Sequence, residues 1–246
     1  MRAMRVVFLA PSYFLLERFV DWGIPREKIR YEEYGRTPVS PVVDPIVERP
    51  RNRVGFFGQL TPFKGLDVLL EAMQILNLED TGTHLWVHGP IEQLQFQSGE
   101  FQNKMRPLIE STRTNTTMVG RYESRELTKL MAKVDWVVIP SIWWENSPLV
   151  IQEAFAHGRP VICSDIGGMA EKVHDGVNGL HFRRGDPTSL AAAIRQAVST
   201  PGLWDRLRKG IPPVYRMDDS VSVISDLYRD LLARQTTVTA SRASPV

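Results

Sequence analysis

The stretch from Ser141 to Gly158, SIWWENSPLVIQEAFAHG, sets Glu145 and Glu153 eight positions apart in otherwise apolar surroundings. Between them, Ser147 is a good helix N-cap and Pro148 a good first helical residue, and Gly158 is a good stop. These signals predict a helix over 148–157. Glu145 then lies in the loop before it, and Glu153 about one and a half turns inside. Proline has no N–H, so the first donors of that helix come from Leu149 and Val150, and with the helix dipole they form an anion site. Two carboxylates repel a bound anion and must serve other groups. Sugar and ribose hydroxyls are natural partners, because an ionised carboxylate accepts bonds from two vicinal hydroxyls. The plainer alternative is a solvated Glu145 and a Glu153 paired with a basic side chain.

A second stretch able to do chemistry is GQLTPFKGLDVLLEA, residues 58–72. Gly58 lets backbone approach a ligand and Pro62 shapes a turn. Lys64 precedes Gly65 at the entrance to a helix, where a cation can meet phosphate; a solvated surface lysine is the alternative. Gly167 and Gly168 permit a tight turn or a close backbone approach. Trp143 and Trp144 fit sugar stacking and packing equally well. Asp165 has no partner at metal-ligand spacing and no D-x-D occurs, so no metal site is expected. The histidines at 84, 88, 157, 174 and 181 form no ligand pattern. His88 ends a strand and is read as a satisfied structural histidine rather than a group facing a ligand. Ser147 lacks the G-x-S-x-G setting of a hydrolase nucleophile, and no dinucleotide G-x-G-x-x-G follows the first strand.

The elements that position these residues are regular. Apolar runs at 53–57, 84–88, 116–119, 135–140 and 160–163, with a weaker one at 179–182, read as strands. Helical stretches lie at 65–76, 101–112, 124–133, 148–157, 167–174 and 187–199. Strands apolar throughout indicate a sheet covered on both faces, and strict alternation indicates an α/β, doubly wound, mainly parallel sheet. Ligands of such sheets sit at the carboxyl ends of strands, where Lys64, Glu145 and Glu153 follow. Upstream, a strand at 5–9, a helix at 12–23 and a strand at 28–35 form a short flank. Prolines 38, 41, 45 and 50 make 36–52 the best linker candidate. Downstream, 217–235 reads as a helix with an apolar stripe at Val221, Ile224, Tyr228 and Leu231.

The chain has 246 residues, 43% hydrophobic and 24% charged, enough for a sizeable core. A net charge of +2 gives no bulk electrostatic case for nucleic acid or an anionic membrane. No apolar run approaches the roughly 20 residues of a membrane span. The start, MRAMRVVFLAPSYFLLERF, lacks a small-residue cleavage site and reads as a strand running into a helix rather than a signal peptide. Cys163 is the single cysteine, so no internal disulfide can form, and a cytoplasmic location fits.

The ordered segments GQLTPFKGLDVLLEAM, LWVHGP and MVGRYESRELTKLMAKVDWVVIPSIWWENSPLVIQEAFAHGRPVICSDIGGMAEKVHDGVNGLHFRRGDPTSLAAAI resemble the C-terminal, donor-binding domain of retaining glycosyltransferases of family 4, which have the GT-B fold. The resemblance covers residues 53–199, and the signature E-x7-E from Glu145 to Glu153 is its most specific part. APSYFLLERFVDWGIPREKIRYEEYG looks like the last strand–helix–strand unit of that family's N-terminal domain. The implied organisation is a remnant of that domain plus a Pro-rich linker at 1–50, a Rossmann-like donor domain at 51–200, C-terminal helices at 201–235 and a flexible tail at 236–246.

The resemblance further implies a nucleoside-diphosphate-sugar donor, with UDP or GDP as the nucleotide, serving polysaccharide or glycoconjugate biosynthesis. Lys64 and the backbone at Ser147, Pro148, Leu149 and Val150 would hold the diphosphate, with Gly58, Gln59 and Asn146 beside them. Glu153 would bind the ribose, Glu145 would sit against the donor sugar, and the base would lie near Gly120–Tyr122. Lys64 and Glu145 carry the catalytic roles, with no metal and no cofactor. Many members have an arginine where this chain has Gln59, and Arg121 is the expected substitute. The acceptor (a glycan, a lipid-linked sugar or a small molecule) would be bound by the N-terminal domain, most of which is missing here, so this chain is expected to bind donor and transfer poorly. The full-length protein would be cytoplasmic or peripheral at the inner face of the membrane. A GT-B epimerase and a non-catalytic nucleotide-sugar-binding module are the alternatives.

Overall fold

Ser12 stops the first strand and starts the first helix: its hydroxyl accepts the Leu15 N–H at 3.1 Å. In the computed structural model, which describes residues 6–39 and 49–241, β1 (Phe8–Ala10) therefore feeds α1 (Tyr13–Asp21), and the chain returns as β2 (Ile29–Tyr31). β2 pairs parallel with β1, Phe8 opposite Ile29. Ala10, Leu16 and Ile29 form the small core of this strand–helix–strand unit.

The chain divides into two compact units, residues 1–38 with 214–246, and residues 39–213. The C-terminal helix, Met217–Ser241, belongs to the first. It is entered through a short backbone zipper: Arg36 N–H donates to the Tyr215 carbonyl at 2.8 Å, and Met217 N–H to the Arg36 carbonyl at 3.0 Å. The tail expected from residue 236 is corrected in part, because the helix continues to Ser241. The β-branched run Thr236–Thr239 weakens helix propensity, but no glycine or proline lies between Met217 and Ser241 to interrupt the helix. Residues 242–246 of the expected tail, and 40–48 of the expected linker, lie outside the described residues.

The second unit holds six parallel strands: β3 (Arg53–Phe57), β4 (His84–His88), β5 (Thr116–Gly120), β6 (Trp136–Ile139), β7 (Val161–Ser164) and β8 (Gly179–Phe182). Between and after them come α2 (Leu66–Leu78), α3 (Gly99–Ser111), α4 (Leu127–Met131), α5 (Leu149–Ala156), α6 (Gly167–Lys172), α7 (Pro187–Ser199) and α8 (Leu203–Lys209). The strand order is β5-β4-β3-β6-β7-β8. This is the doubly wound sheet expected from the sequence. Val54, Phe56, Leu85, Val87, Trp136 and Val138 face one layer, packed with Leu69, Met73 and Ile194 of α2 and α7. The alternate residues Phe57, Val137, Ile139, Val161 and Cys163 point to the other face and are also buried. Burying each such side chain contributes about 1.5–3 kcal/mol, so both faces of the sheet are strongly specified.

The amino ends of the strands are fastened by Asp135, which is fully buried. Its carboxylate accepts two bonds from Arg49 at 2.9 Å, one from Arg51 at 3.3 Å, and the Arg53 N–H at 3.1 Å. The indole N–H of Trp204 donates to the Asp135 carbonyl at 2.8 Å, and the Arg51 guanidinium stacks 3.9 Å from the Trp204 ring. The anchoring is thus at one end of the sheet. The loops that carry the chemistry are at the other.

Candidate functional site

Strand order reverses between β3 and β6, which are paired neighbours. The crevice at the carboxyl ends of such a pair is where doubly wound sheets hold ligands. The loop after β3 carries Gly58, Gln59 and a 3-10 turn at Pro62–Lys64; the loop after β6 runs from Pro140 to Pro148. Two contacts zip the loops together. Ile142 N–H donates to the Phe63 carbonyl at 2.9 Å. Gly65, at φ 67°, approaches so closely that a Cβ would lie 2.0 Å from the Pro140 carbonyl oxygen.

This seam brings Lys64 to Glu145. The ammonium donates to Glu145 Oε1 at 2.8 Å, and the Ser141 hydroxyl donates to the same oxygen at 2.7 Å. Lys64 is 35% exposed and Glu145 18%. The lysine end of the pair is open enough to solvent for its partner to be exchanged for a ligand. Phe63, next to Lys64 in sequence, and Trp143, two positions before Glu145, meet edge to face at 5.6 Å. Trp143 is 56% exposed, so it is no core residue.

The Glu145 loop is held from below by the glycine pair. Gly168 N–H donates to the Glu145 carbonyl at 2.7 Å, and a Cβ on Gly168 would lie 1.7 Å from the Asn146 carbonyl oxygen. Gly167 has φ 58° and lies against Trp144. Of the two roles left open for these glycines, close backbone approach is the one observed, at the first two residues of α6. The helix start is a correction. The cap residue of α5 is Pro148, with ψ 117° and no side-chain cap hydrogen bond, and the helix begins at Leu149. Ser147, expected as the cap, is buried one position earlier. The extended ψ of Pro148 is what delays the helix by one residue. Leu149 and Val150 still carry its first N–H groups, and Gly158, at φ 64°, ends it as expected.

Glu153 lies on α5, and its charge reaches the phenol of Tyr122. Burial first, and that charge second, push the Tyr122 pKa up to about 12. Arg121 is engaged elsewhere: its guanidinium holds Glu92 at 2.6 and 3.0 Å and is 71% exposed. Gln59 is exposed. The loop beside it is pinned by Gln93, whose side-chain oxygen accepts the Leu60 N–H at 3.1 Å. No local pattern signals Gln93 or Ser141 in the sequence; both act through contacts that only the fold creates.

His88 overturns its expected reading as a satisfied histidine. It is 2% exposed, yet Nδ1 and Nε2 have no hydrogen-bond partner among the described residues. Its ring stacks on Phe57 with centroids 4.5 Å apart and meets Tyr122 edge-on at 6.1 Å. Aromatic faces surround it where hydrogen-bonding groups were expected. Burial, with the Lys133 charge adding to it, pushes the His88 pKa down to about 4. The unfolded chain binds a proton near 6.5 and the folded one does not. His88 neutrality therefore contributes stability above pH 6.5 that is lost as pH falls toward 4 and is level below it. The loss should be about 1–3 kcal/mol after allowance for screening. Urea midpoints of wild type and His88→Phe across that window check it: the variant should lose less stability than wild type.

Among the described residues no group of three or more His, Cys, Asp and Glu could hold a metal ion. No described helix is long and apolar enough to cross a membrane.

The model of the family described as Glycosyl transferases group 1 matches residues 51–200. A protein of Methanocaldococcus jannaschii, named as an uncharacterized glycosyltransferase, is 28% identical over 74% of this chain and 46% of its own length. The lipopolysaccharide 1,2-N-acetylglucosaminetransferase of Salmonella typhimurium is 30% identical over 71% of this chain and 48% of its own. The chain spans about half the length of these curated relatives, or slightly less. Among solved structures, the HepE protein of Anabaena in complex with UDP and glucose superposes with a TM-score of 0.74 at 20% identity, over 93% of this chain and 64% of that one. That likeness is one of fold.

Proposed function

Because the chain belongs to the family of glycosyl transferases group 1, we propose that its six-stranded unit binds a nucleoside-diphosphate-sugar and presents it for metal-independent transfer, with retention of configuration, to an acceptor hydroxyl. The observation that carries this reading is the meeting of Lys64 and Glu145 beside the start of α5, at the point where strand order reverses. Lys64 and the Leu149 and Val150 N–H groups bind the diphosphate, Gly58 and Asn146 lie alongside, and Glu153 takes the ribose hydroxyls. The base lies against Gly120–Tyr122.

Without donor, Glu145 neutralises Lys64. When donor binds, Lys64 exchanges the carboxylate for the diphosphate, and Glu145 is released to the hydroxyls of the sugar. As the bond from the anomeric carbon to the diphosphate breaks, Lys64 and the dipole of α5 stabilise the leaving charge without a divalent ion. The acceptor hydroxyl attacks on the face from which the diphosphate departs and gives its proton to the departing phosphate oxygen. The UDP and glucose bound by the Anabaena protein support a sugar nucleotide as donor. Acceptor recognition is assigned to the part of the relatives' length that this chain does not span, so the chain alone binds donor and transfers weakly.

Calorimetry on two variants tests the division of labour. Glu153→Ala should weaken a nucleoside diphosphate and its sugar conjugate alike, by roughly 10-fold or more, the loss of a hydrogen bond to a charged group. Glu145→Ala should spare the nucleoside diphosphate and weaken only the sugar conjugate. Equal loss of both ligands in Glu145→Ala contradicts the sugar-side role.

A further inference from the structure

Three aromatic side chains stand beside the Lys64–Glu145 pair and have no part in the mechanism above. Phe63 directly precedes Lys64, and Trp143 and Trp144 directly precede Glu145. They are 58%, 56% and 49% exposed. Phe63 meets Trp143 edge to face, and the two indoles lie 6.2 Å apart, so the three rings are contiguous. Exposure falls inward from these rings to Lys64 and then to Glu145. The rings are therefore an outer rim, and the ion pair lies behind it. The backbone under the rim is fixed at three points. Ile142 N–H holds the Phe63 carbonyl, Gly168 N–H holds the Glu145 carbonyl, and a Cβ on Gly167 would lie 3.2 Å from the Trp144 Cα. A single exposed apolar residue needs no explanation, but a joined group of three at a strand-end crevice does.

We propose that Phe63 and Trp143 stack on a pyranose ring of the acceptor, so that the acceptor is a glycan and one part of its site lies in this chain; the inference rests on the donor reading above. A pyranose has an apolar C–H face and a rim of hydroxyls. The aromatic rings match the first. The exposed Asn146 and the Glu145 carboxylate, within three positions of Trp143, match the second. A polypeptide side chain or an acyl chain seated on the rim would strip water from Lys64 and Glu145 and give nothing in return, which is costly. A polyhydroxylated ring keeps both hydrogen-bonded. The donor sugar is assigned to Glu145, the inner position, and the next ring outward is the one that receives it. Trp143 is thus a positioning residue: it orients the acceptor ring and leaves its hydroxyl to react. This contact adds to the acceptor recognition assigned outside the chain.

The test follows the Trp143 indole N–H resonance of the whole chain, identified by its loss in Trp143→Phe. The titrants are maltotetraose, cellotetraose and chitotetraose, with sorbitol as an open-chain polyol and dodecylphosphocholine as an acyl chain. At least one saccharide should move the resonance, and sorbitol and the detergent should not. Trp143→Ala should weaken that saccharide about 2- to 12-fold, Trp143→Phe should restore most of the loss, and both should bind nucleoside diphosphate as wild type does. A resonance that no saccharide moves overturns the inference, as does one that sorbitol or the detergent moves equally. So does a Trp143→Ala chain that loses affinity for the nucleotide's sugar conjugate but for no saccharide, because the rings would then hold the donor sugar. If Trp143→Ala fails to fold, Phe63→Ala and the wild-type resonance decide. Wild type that binds no nucleotide overturns the donor reading and this inference with it, whereas nucleotide binding with an unmoved Trp143 overturns only the latter.

Discussion

Lys64→Ala should lower the affinity of the chain for its nucleoside diphosphate by roughly 10- to 150-fold, the loss of one charge-assisted contact of about 1.5–3 kcal/mol. The fold invests heavily in this side chain. Gly65 turns the backbone behind it against Pro140, and the Ile142–Phe63 hydrogen bond fixes the two loops in one register. Lys64 then meets Glu145, 81 positions away in sequence. Stability should fall by about 1–2 kcal/mol, because the Glu145 carboxylate, 18% exposed, keeps only the Ser141 hydroxyl. Binding and folding are separate readouts for this variant, by calorimetry and thermal melting. A change in affinity below about 2-fold would remove Lys64 from the diphosphate site.

Gly168→Ala should be the most damaging single methyl in the site. The added carbon would sit 1.7 Å from the Asn146 carbonyl oxygen and 2.6 Å from that of Glu145. Both are backbone atoms, and neither yields unless the whole segment 144–147 moves. That movement also breaks the Gly168–Glu145 hydrogen bond and shifts the carboxylate that holds Lys64. A loss of about 2–4 kcal/mol in unfolding free energy is expected, with donor affinity falling alongside it. Gly58→Ala is the control for stability: its Cβ would meet nothing closer than 3.6 Å. Denaturant unfolding of both variants is the measurement. A Gly168→Ala protein as stable as wild type would show that the loop is loosely held.

The contrast between these glycines marks how far the sequence could be read. Strands β3, β4 and β8 and helix α7 lie where the residue pattern puts them. The strands are buried on both faces, and α7 begins at Asp186-Pro187, with the Asp186 carboxylate accepting the Ser189 N–H at 2.9 Å. Such signals are local and survive without coordinates. Glu145, Glu153 and Lys64 were legible as residues that follow strand ends, but the Lys64–Glu145 contact was not. It exists because β3 lies beside β6, and nothing local encodes that neighbour. Ser147 was misread as the cap because its residue type fits, while the ψ of Pro148 decides the matter. His88 was misread because most buried histidines find partners, and its shortage of them depends on Phe57 arriving from β3 and Tyr122 from the segment after β5. Arg121 is expected near the diphosphate, where its type would suit; that its guanidinium pairs with Glu92, in the turn after β4, is a contact no local pattern signals.

The six-stranded unit is proposed to hold a nucleoside diphosphate without a metal ion. Calorimetric titration of the chain with UDP, GDP, ADP and CDP, followed by the sugar conjugates of the preferred one, with and without EDTA, tests it most directly. One nucleotide should bind tightly, unchanged by EDTA, with its sugar conjugate bound at least as well. Failure to bind any of the four, or binding that EDTA abolishes, would contradict it.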